Sequence, residues 1–228
     1  MRPGGYALWC YSYLYTIILR IVIRAVLFDI DGVLLDSFEA GMHFLRDILG
    51  DLGYPKPPRS RHKKAFHLPL IPALSYLAKA ELTEEAERIH EVIPTIQYHS
   101  ELLSEPEDTE KTLGELSHTY KLGIVTSRNN DGLYKRYFDL FPRKKYFATC
   151  ITAENCLYHK PHPGPLLLAA KRLKLRPHEC VYVGDSLSDV EAAKAAGMKV
   201  ILYGGRTHSD ADAHTRAFKK LPEVIARW

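Results

Sequence analysis

The stretch AVLFDIDGVLLDS, residues 25–37, decides the fold of this 228-residue chain. With the residues before it, the segment IVIRAVLF at 21–28 is rich in β-branched residues and almost continuously apolar. This pattern is typical of a parallel strand buried on both faces. Two aspartates one residue apart, Asp29 and Asp31, follow the strand at once, and Gly32 lets the chain turn sharply behind them. Acids at the end of a buried strand indicate a functional site.

The apolar strand pattern recurs along the chain, and helical patterns lie between the recurrences. The predicted strands are 21–28, 120–127, 146–152, 180–186 and 198–203, and the predicted helices are 131–141, 163–175 and 186–197. Prolines suited to a first turn open the second of these helices, and a capping serine and a glycine bound the third. Strands that alternate with helices over short connections predict an α/β fold, a Rossmann-like parallel sheet with helices on both faces.

Residues 37–110 interrupt this alternation, because they contain no good strand pattern. Amphipathic helices are predicted at 38–53 and 82–93, and a segment rich in proline and basic residues joins them. The basic run RSRHKK at 59–64 is interpreted as a solvated face or a loop. The predicted organisation has three parts. They are an N-terminal extension at 1–21, a core made of 22–36 and 111–228, and a helical insertion at 37–110.

Ligands of open α/β sheets bind beyond the carboxyl ends of the strands, so the residues at each strand end are candidates for a site. Acids, hydroxyl groups and one lysine occupy these positions. They are Asp29 and Asp31 after the first strand, Thr126 and Ser127 at the end of the second, Lys160 after the third, and Asp185 and Asp189 at and after the end of the fourth. These side chains are expected to converge at one edge of the sheet.

The residue types in this set suit phosphoryl transfer. Clustered carboxylates repel one another unless a cation lies among them, and oxygen donors suit Mg²⁺, which can also share a substrate phosphate. A carboxylate beside the metal can act as a nucleophile and form an aspartyl-phosphate. A second acid two residues further on can protonate the leaving oxygen and then activate water. A hydroxyl group and a lysine can hold the phosphoryl oxygens.

Four ordered motifs carry a family resemblance: FDIDGVLLDS (28–37), IVTSRNN (124–130), HKPHPGP (159–165) and VYVGDSLSDVEAAKAAGM (181–198). In this order they resemble the motifs of the haloacid dehalogenase superfamily, and above all its phosphoglycolate phosphatase-like branch. The resemblance covers about 22–205 and is weak over the insertion. It implies that the inserted helices form a small cap domain that closes over the site and selects the substrate.

The resemblance also implies the roles of the acids. Asp29 would be the nucleophile and a Mg²⁺ ligand. Asp31 would be the general acid and base, with its backbone carbonyl on the metal. Asp185 would ligate Mg²⁺, and Asp189 would do so directly or through water. Asp189 also lies three residues after Ser186, which is the spacing of a helix capping box, and the two roles are compatible.

For the phosphate, the resemblance implies a second set of residues. Thr126 would bind phosphate, and Ser127 would touch phosphate or substrate. Lys160 would bind and orient the phosphoryl group. Arg128, which follows directly, is interpreted as a charged loop residue outside the site.

We therefore expect a Mg²⁺-dependent phosphatase that hydrolyses a small-metabolite phosphomonoester, such as phosphoglycolate or a sugar phosphate. Two alternatives stay open from the sequence. A phosphomutase would keep every motif and pass the phosphoryl group to a second substrate hydroxyl instead of water. A non-catalytic binding or regulatory protein could keep the same fold, although four intact motifs argue against it.

The composition is that of an ordinary globular protein, with 46% hydrophobic and 25% charged residues and a net charge of +4. The basic residues are spread out rather than interleaved with aromatic residues, so we expect neither a nucleic-acid nor a membrane partner, and a monomer or homodimer. None of the four cysteines forms a Cys-x-x-Cys pair, which favours reduced thiols in a cytoplasmic protein.

The N-terminal segment YALWCYSYLYTIIL, residues 6–19, is apolar and aromatic. It is shorter than the roughly 20 residues that a membrane-spanning helix needs. It could be a signal-peptide core, an interfacial anchor or an extra edge strand. The interpretation we favour is that residues 1–21 are not translated and that the protein begins at a non-ATG codon near Val22.

Overall fold

Strand β1 (Ala25–Phe28) lies in the interior of a parallel sheet, in a computed structural model that describes residues 22–228. Expectations about residues 1–21 lie outside the described residues. The other strands are β2 (Lys121–Val125), β3 (Phe147–Ile151), β4 (Cys180–Gly184), β5 (Lys199–Tyr203) and β6 (Ala213–Thr215). Their order is β3-β2-β1-β4-β5-β6, and every neighbouring pair is parallel. The predicted α/β fold is confirmed.

Alternate residues of β1, β4 and β5 enter two different apolar cores, one on each face of the sheet. In β1, Val26 and Phe28 join one core, while Ala25 and Leu27 join the other. All four are fully buried. Side chains of successive strand residues point to opposite faces, so a strand covered on both faces must be apolar throughout. This requirement explains the apolar strand pattern of the sequence.

Helices cover both faces of the sheet. Those packed on the first face are α5 (Thr109–Thr119), α6 (Asn130–Leu133) and α9 (Leu221–Ile225), and those on the second are α7 (Gly164–Leu173) and α8 (Leu187–Ala195). Helix α6 continues into a π-helical turn at Tyr134–Phe138. The helix predicted at 131–141 corresponds to α6 with its π-helical turn. The helices predicted at 163–175 and 186–197 correspond to α7 and α8, and all ends agree within a few residues.

The first four helices after β1 have an apolar core of their own. They are α1 (Phe38–Asp51), α2 (Arg59–Ala65), α3 (Leu70–Ala78) and α4 (Ala86–Val92). Leu49, Leu74 and Ile89 are fully buried members of that separate core. Between residues 37 and 110 the structure has no strand, as predicted, only an isolated bridge from Asp36 to Ser104.

Four helices and one strand were not expected: α2, α3, α5, α9 and β6. Helix α2 occupies the segment predicted to be a proline-rich and basic connection, so RSRHKK is a helix with a solvated face, apart from the buried His62. Helix α3 has Pro69 before it and Pro72 in its first turn, where proline costs no hydrogen bond. Strand β6 has only three residues and is partly exposed, so it has no apolar run to reveal it.

No helix of residues 22–228 is both long enough and apolar enough to cross a bilayer. The cysteines of this part of the chain, Cys150, Cys156 and Cys180, are free thiols.

Candidate active site

The carboxyl ends of β1, β2 and β4 bring the predicted residues to one edge of the sheet. The register pairs Phe28 with Ile124 on one side and with Val183 on the other, and the Asp29 amide donates to the Val183 carbonyl at 2.9 Å. The residues that follow these strands therefore emerge together. Carboxylate oxygens of Asp29, Asp185 and Asp189 lie within 4.8 Å of one another, and Lys160 contacts Asp29 and Asp189. Asp31 and Thr126 lie at the same edge.

Lys160 forms the positive centre of this cluster. Its Nζ lies 2.9 Å from Asp29 Oδ2 and 2.7 Å from Asp189 Oδ1, and it donates to the Tyr182 hydroxyl at 2.9 Å. The Lys160 side chain is only 6% exposed. Burial works to lower its pKa, but the Asp189 and Asp29 carboxylates outweigh burial and hold the pKa well above the ordinary value, so the ammonium stays charged.

Asp189 caps helix α8 and orders the loop before it. Its Oδ2 accepts from the backbone amides of Asp185 and Ser186 and from the Ser186 hydroxyl, which completes the predicted capping box. Its Oδ1 accepts from Lys160 and from Tyr182. Burial works to raise the pKa of this fully buried carboxyl, but Lys160 outweighs burial and the pKa lies below its usual range. With both oxygens engaged, Asp189 suits a role through water better than direct ligation of a metal.

Asp185 follows β4 and packs against the turn that carries the first two acids. A Cβ added to Gly32 would lie 2.0 Å from Asp185 Oδ2, and Gly32 has φ +74°. Only glycine fits there, because both the close approach and the left-handed conformation exclude a side chain. On its other side, Asp185 Oδ2 lies 3.6 Å from His67 Nδ1. Burial, with help from Arg206, lowers the pKa of His67 to about 4, so the ring is neutral at pH 7 and this contact is not an ion pair.

Asp31 is held by a guanidinium fork from Arg128. Arg128 Nε donates to Asp31 Oδ2 at 2.8 Å and Nη2 donates to Oδ1 at 2.6 Å, while the Ser37 hydroxyl also donates to Oδ1. Burial works to raise the pKa of Asp31, but the Arg128 charge and these hydrogen bonds outweigh it, and the pKa lies below its ordinary value. Arg128 lies in a loop, as interpreted, but it contacts the candidate acid Asp31 and so does not lie outside the candidate site.

Thr126 and Ser127 differ in their surroundings. Thr126 is buried, its amide donates to the Ile151 carbonyl at 2.9 Å, and its Oγ1 accepts from the Arg128 amide at 3.1 Å. Ser127 is exposed next to it. The site thus presents one ordered hydroxyl and one solvent-facing hydroxyl, and their phosphate-binding roles stay predictions.

The acidic side chains suit a divalent cation. Carboxylate oxygens of Asp29, Asp185 and Asp189 lie within 4.8 Å of one another. Burial is the main cause that raises the pKa of Asp29 to about 7 and that of Asp185 to about 8. The neighbouring carboxylates also raise both pKa values, and Lys160 lowers them by less than burial and these carboxylates together raise them. Two buried acids that resist ionisation together are stabilised as carboxylates by a cation between them. The donor set is all oxygen, which fits Mg²⁺.

A cavity of about 410 Å³ lies beside the acids, between the sheet edge and the inserted helices. Its walls combine aromatic rings with acidic and polar groups. They include Gly32, Asp36, Phe38, Phe66, His67, Glu105, Asp185 and Tyr203. This volume suits a small metabolite.

Comparison with known proteins identifies the family. A family model described as haloacid dehalogenase-like hydrolase matches residues 26–203. The chain belongs to this family. A phosphoglycolate phosphatase of Xylella fastidiosa is 35% identical over 195 residues, covering 82% of this chain and 83% of that protein. Pyrophosphatase PpaX of Bacillus velezensis is 33% identical, covering 78% of this chain and 81% of its own. The expected family and the expected enzyme class, a phosphatase, are confirmed.

Solved structures agree on the fold. A HAD-superfamily hydrolase, subfamily IA, variant 1, of Geobacter sulfurreducens superimposes with a TM-score of 0.73 at 27% identity, covering 89% of this chain and 100% of its own. A β-phosphoglucomutase of Clostridium difficile also superimposes with a TM-score of 0.73, at 20% identity, covering 90% and 96%. At that identity the second likeness concerns the fold alone.

Four residues that contact the candidate site or its neighbours were not predicted from the sequence: Arg128, Tyr98, Tyr182 and His67. Tyr182 lies within β4, where it looks like any apolar strand residue. Tyr98 and His67 lie in the insertion, which carries no readable motif. Arg128 gave one usable signal, because it directly follows Thr126 and Ser127 at a strand end.

Proposed function

We propose that the protein is a Mg²⁺-dependent phosphatase that hydrolyses a small phosphorylated metabolite through an aspartyl-phosphate on Asp29. The observation that carries the proposal is the cluster of three carboxylates within 4.8 Å of one another, with the Lys160 ammonium 2.9 Å from the nucleophile. Membership of a hydrolase family with phosphatase relatives supports it.

Asp29, Asp185 and the Asp31 carbonyl are the groups we assign to Mg²⁺, with Asp189 acting through water. The bound cation would neutralise negative charge on the phosphoryl oxygens and keep the acids ionised. Lys160 would offset the remaining charge on the phosphoryl group, and the Thr126 and Ser127 hydroxyl groups would hold the phosphoryl oxygens.

In the first step, an Asp29 carboxylate oxygen attacks phosphorus and the bond to the leaving oxygen breaks. Because Arg128 lowers the pKa of Asp31, this carboxyl would have to take up a proton as the substrate binds, and it then gives that proton to the leaving oxygen. In the second step, Asp31 takes a proton from water as the water oxygen attacks the phosphorus of the aspartyl-phosphate. Inorganic phosphate leaves, Asp29 is restored as a carboxylate, and Asp31 is again protonated.

For the substrate, phosphoglycolate is the first candidate and pyrophosphate the second, after the relatives that bear those names. The cavity beside Asp185 would hold the leaving group. We further propose that residues 37–110 are a cap domain over a catalytic core of 22–36 and 111–228. The separate apolar core of the inserted helices supports this division.

The test is phosphate release from phosphoglycolate, pyrophosphate, glycerol 3-phosphate and glucose 6-phosphate, with Mg²⁺ and with a chelator. Release that needs Mg²⁺ and vanishes in Asp29→Asn, with unchanged thermal unfolding, is expected. Asp131→Asn, which neutralises a largely exposed acid on α6, serves as the matched control and keeps full activity.

Three outcomes would overturn the proposal. Release that persists in Asp29→Asn excludes the aspartyl-phosphate. Conversion of a sugar phosphate into its isomer without release of phosphate identifies a phosphomutase. The absence of any turnover in the unaltered protein would favour a binding or regulatory role.

A further inference from the structure

We propose that Arg128 is a positioning residue for the reaction, which acts by fixing the carboxyl group of Asp31 in the plane needed for proton transfer. The inference rests on the proposed function, because Asp31 moves the proton only if the reaction is the phosphoryl transfer described above.

The Arg128 fork makes two hydrogen bonds to Asp31, at 2.8 Å and 2.6 Å, one to each carboxylate oxygen. A planar guanidinium that engages both oxygens sets the rotation of the carboxyl group as well as its position. Proton transfer needs the acid within hydrogen-bond reach of the reacting oxygen, so this rotation decides whether Asp31 can serve.

Arg128 is itself held from several sides. Its side chain is only 12% exposed. Its backbone amide donates to Thr126 Oγ1 at 3.1 Å, and its carbonyl accepts from the Ala153 amide at 2.9 Å. The fork is thus anchored to the ends of β2 and β3, which makes it a rigid reference for Asp31.

Tyr98 connects this anchor to the inserted helices. Arg128 Nη2 donates to the Tyr98 hydroxyl at 3.2 Å, and the Tyr98 ring packs on Phe44 of α1 with ring centroids 5.6 Å apart. Arg136 lies over the same ring, with its guanidinium carbon 4.2 Å from the centroid, but makes no hydrogen bond to Asp31. Arg136 is therefore a matched control, since it is an arginine on the same tyrosine outside the fork.

The decisive measurement is kcat/KM for three phosphate esters with Arg128→Gln, Arg128→Lys and Arg136→Gln. The esters are phosphoglycolate, ethyl phosphate and p-nitrophenyl phosphate. Alkoxide leaving groups need a proton from Asp31, whereas p-nitrophenolate leaves without one. General acid catalysis contributes roughly 10²–10⁴-fold. We expect both Arg128 variants to lose about 10²-fold on the two alkyl esters and less than about 5-fold on the aryl ester. Arg136→Gln should change all three rates equally and slightly.

A second readout separates action through Asp31 from a general effect. If Arg128 works only by orienting Asp31, the double variant Asp31→Asn/Arg128→Gln should be no slower than Asp31→Asn, because the group being oriented is gone. Tyr98→Phe should also lose more kcat/KM on the alkyl esters than on the aryl ester, but by a smaller factor than the Arg128 variants. Thermal unfolding of each variant reports whether the fold persists.

Four results would overturn the inference. An equal loss on all three esters means that Arg128 supports only the fold. A loss confined to phosphoglycolate means that Arg128 binds the substrate carboxylate instead. Additive losses in the double variant mean that it acts independently of Asp31. Absence of hydrolysis by the unaltered protein would overturn the proposed function and, with it, this inference.

Discussion

Lys160 lies between two buried carboxylates, with its Nζ 2.9 Å from Asp29 Oδ2 and 2.7 Å from Asp189 Oδ1. These contacts join segments that are far apart in the chain, since Asp29 directly follows β1 and Asp189 lies in the first turn of α8. A buried ammonium with two carboxylates and the Tyr182 hydroxyl has its three donors satisfied. The same side chain thus stabilises the fold and supplies positive charge where phosphate is proposed to bind.

Lys160→Met should damage stability and activity together. It leaves buried carboxylates without their partner, which costs about 3–5 kcal/mol when one member of a buried pair is removed. Phosphate release should fall by at least about 10²-fold, as for loss of a group that stabilises transition-state charge. Urea unfolding and a phosphate assay measure the two effects. Lys121→Met, which removes an ammonium that donates to the Leu173 carbonyl, is the control and should keep its activity.

Adding Asp29→Asn to Lys160→Met should restore part of the lost stability, because one of the two stranded carboxylates is then neutral. A double variant that is less stable than Lys160→Met would contradict this explanation.

Comparing Gly32→Ala with Gly53→Ala should separate the effect of displacing Asp185 from the effect of backbone strain. Gly32 and Gly53 both have positive φ, +74° and +83°, but an added Cβ meets Asp185 only at Gly32 and meets open space at Gly53. Both alanine variants should lose roughly 1–2 kcal/mol of unfolding free energy from the left-handed backbone. Only Gly32→Ala should lose activity, on the order of 10²-fold, and need more Mg²⁺ for half-maximal rate. Equal activity in the two variants would show that Asp185 tolerates displacement.

His62 should make stability depend on pH near neutrality. The ring is 1% exposed, Nδ1 lies 3.2 Å from the Pro58 carbonyl, and Nε2 has no hydrogen-bond partner. Burial, with the charge of Arg46, lowers the pKa of His62 below its ordinary 6.5. The unfolded chain then binds the proton more tightly, so stability is complete above pH 6.5 and falls as the pH drops below it. The slope is at most about 1.4 kcal/mol per pH unit.

His62→Leu should flatten that slope, as measured by urea unfolding at pH 7.5 and pH 5.5. His90→Gln, at an exposed position of α4, is the matched control and should leave the slope unchanged. A slope that survives intact in His62→Leu would assign the pH dependence to other groups.

Glu179 should make stability depend on pH in a more acidic range than His62 does. It accepts from the Arg176 amide at 2.8 Å and from the Arg24 guanidinium at 3.2 Å, and these bonds, the amide first, lower its pKa to about 2 from 4.5. A depressed carboxyl pKa stabilises the fold fully above pH 4.5, and the effect fades as the pH falls towards 2. Glu179→Gln should therefore be less stable than the unaltered protein at pH 7, with the gap narrowing between pH 4.5 and pH 3. A constant gap would mean that the charge is not involved.

Much of the fold could be predicted because buried parallel strands leave a strong pattern. Five of the six strands of the described residues, and three helices on the sheet, follow from apolar runs and their boundaries. Helices α2 and α3 could not be predicted in this way. Their prolines lie before or within the first turn, where proline is tolerated although it suggests a loop in the sequence. Strand β6 is too short and too exposed to have a pattern.

The positions of Asp29, Asp31, Thr126, Lys160 and Asp185 at one edge of the sheet could be predicted from the sequence alone. Residues that follow parallel strands emerge at one edge of the sheet, so their positions along the chain suffice. Only the tertiary structure decided that Arg128 holds Asp31 and that Asp189 is saturated by donors from three elements. Those pairings depend on how loops and inserted helices pack above the sheet, which is set by side-chain shape and charge in three dimensions and has no period along the chain.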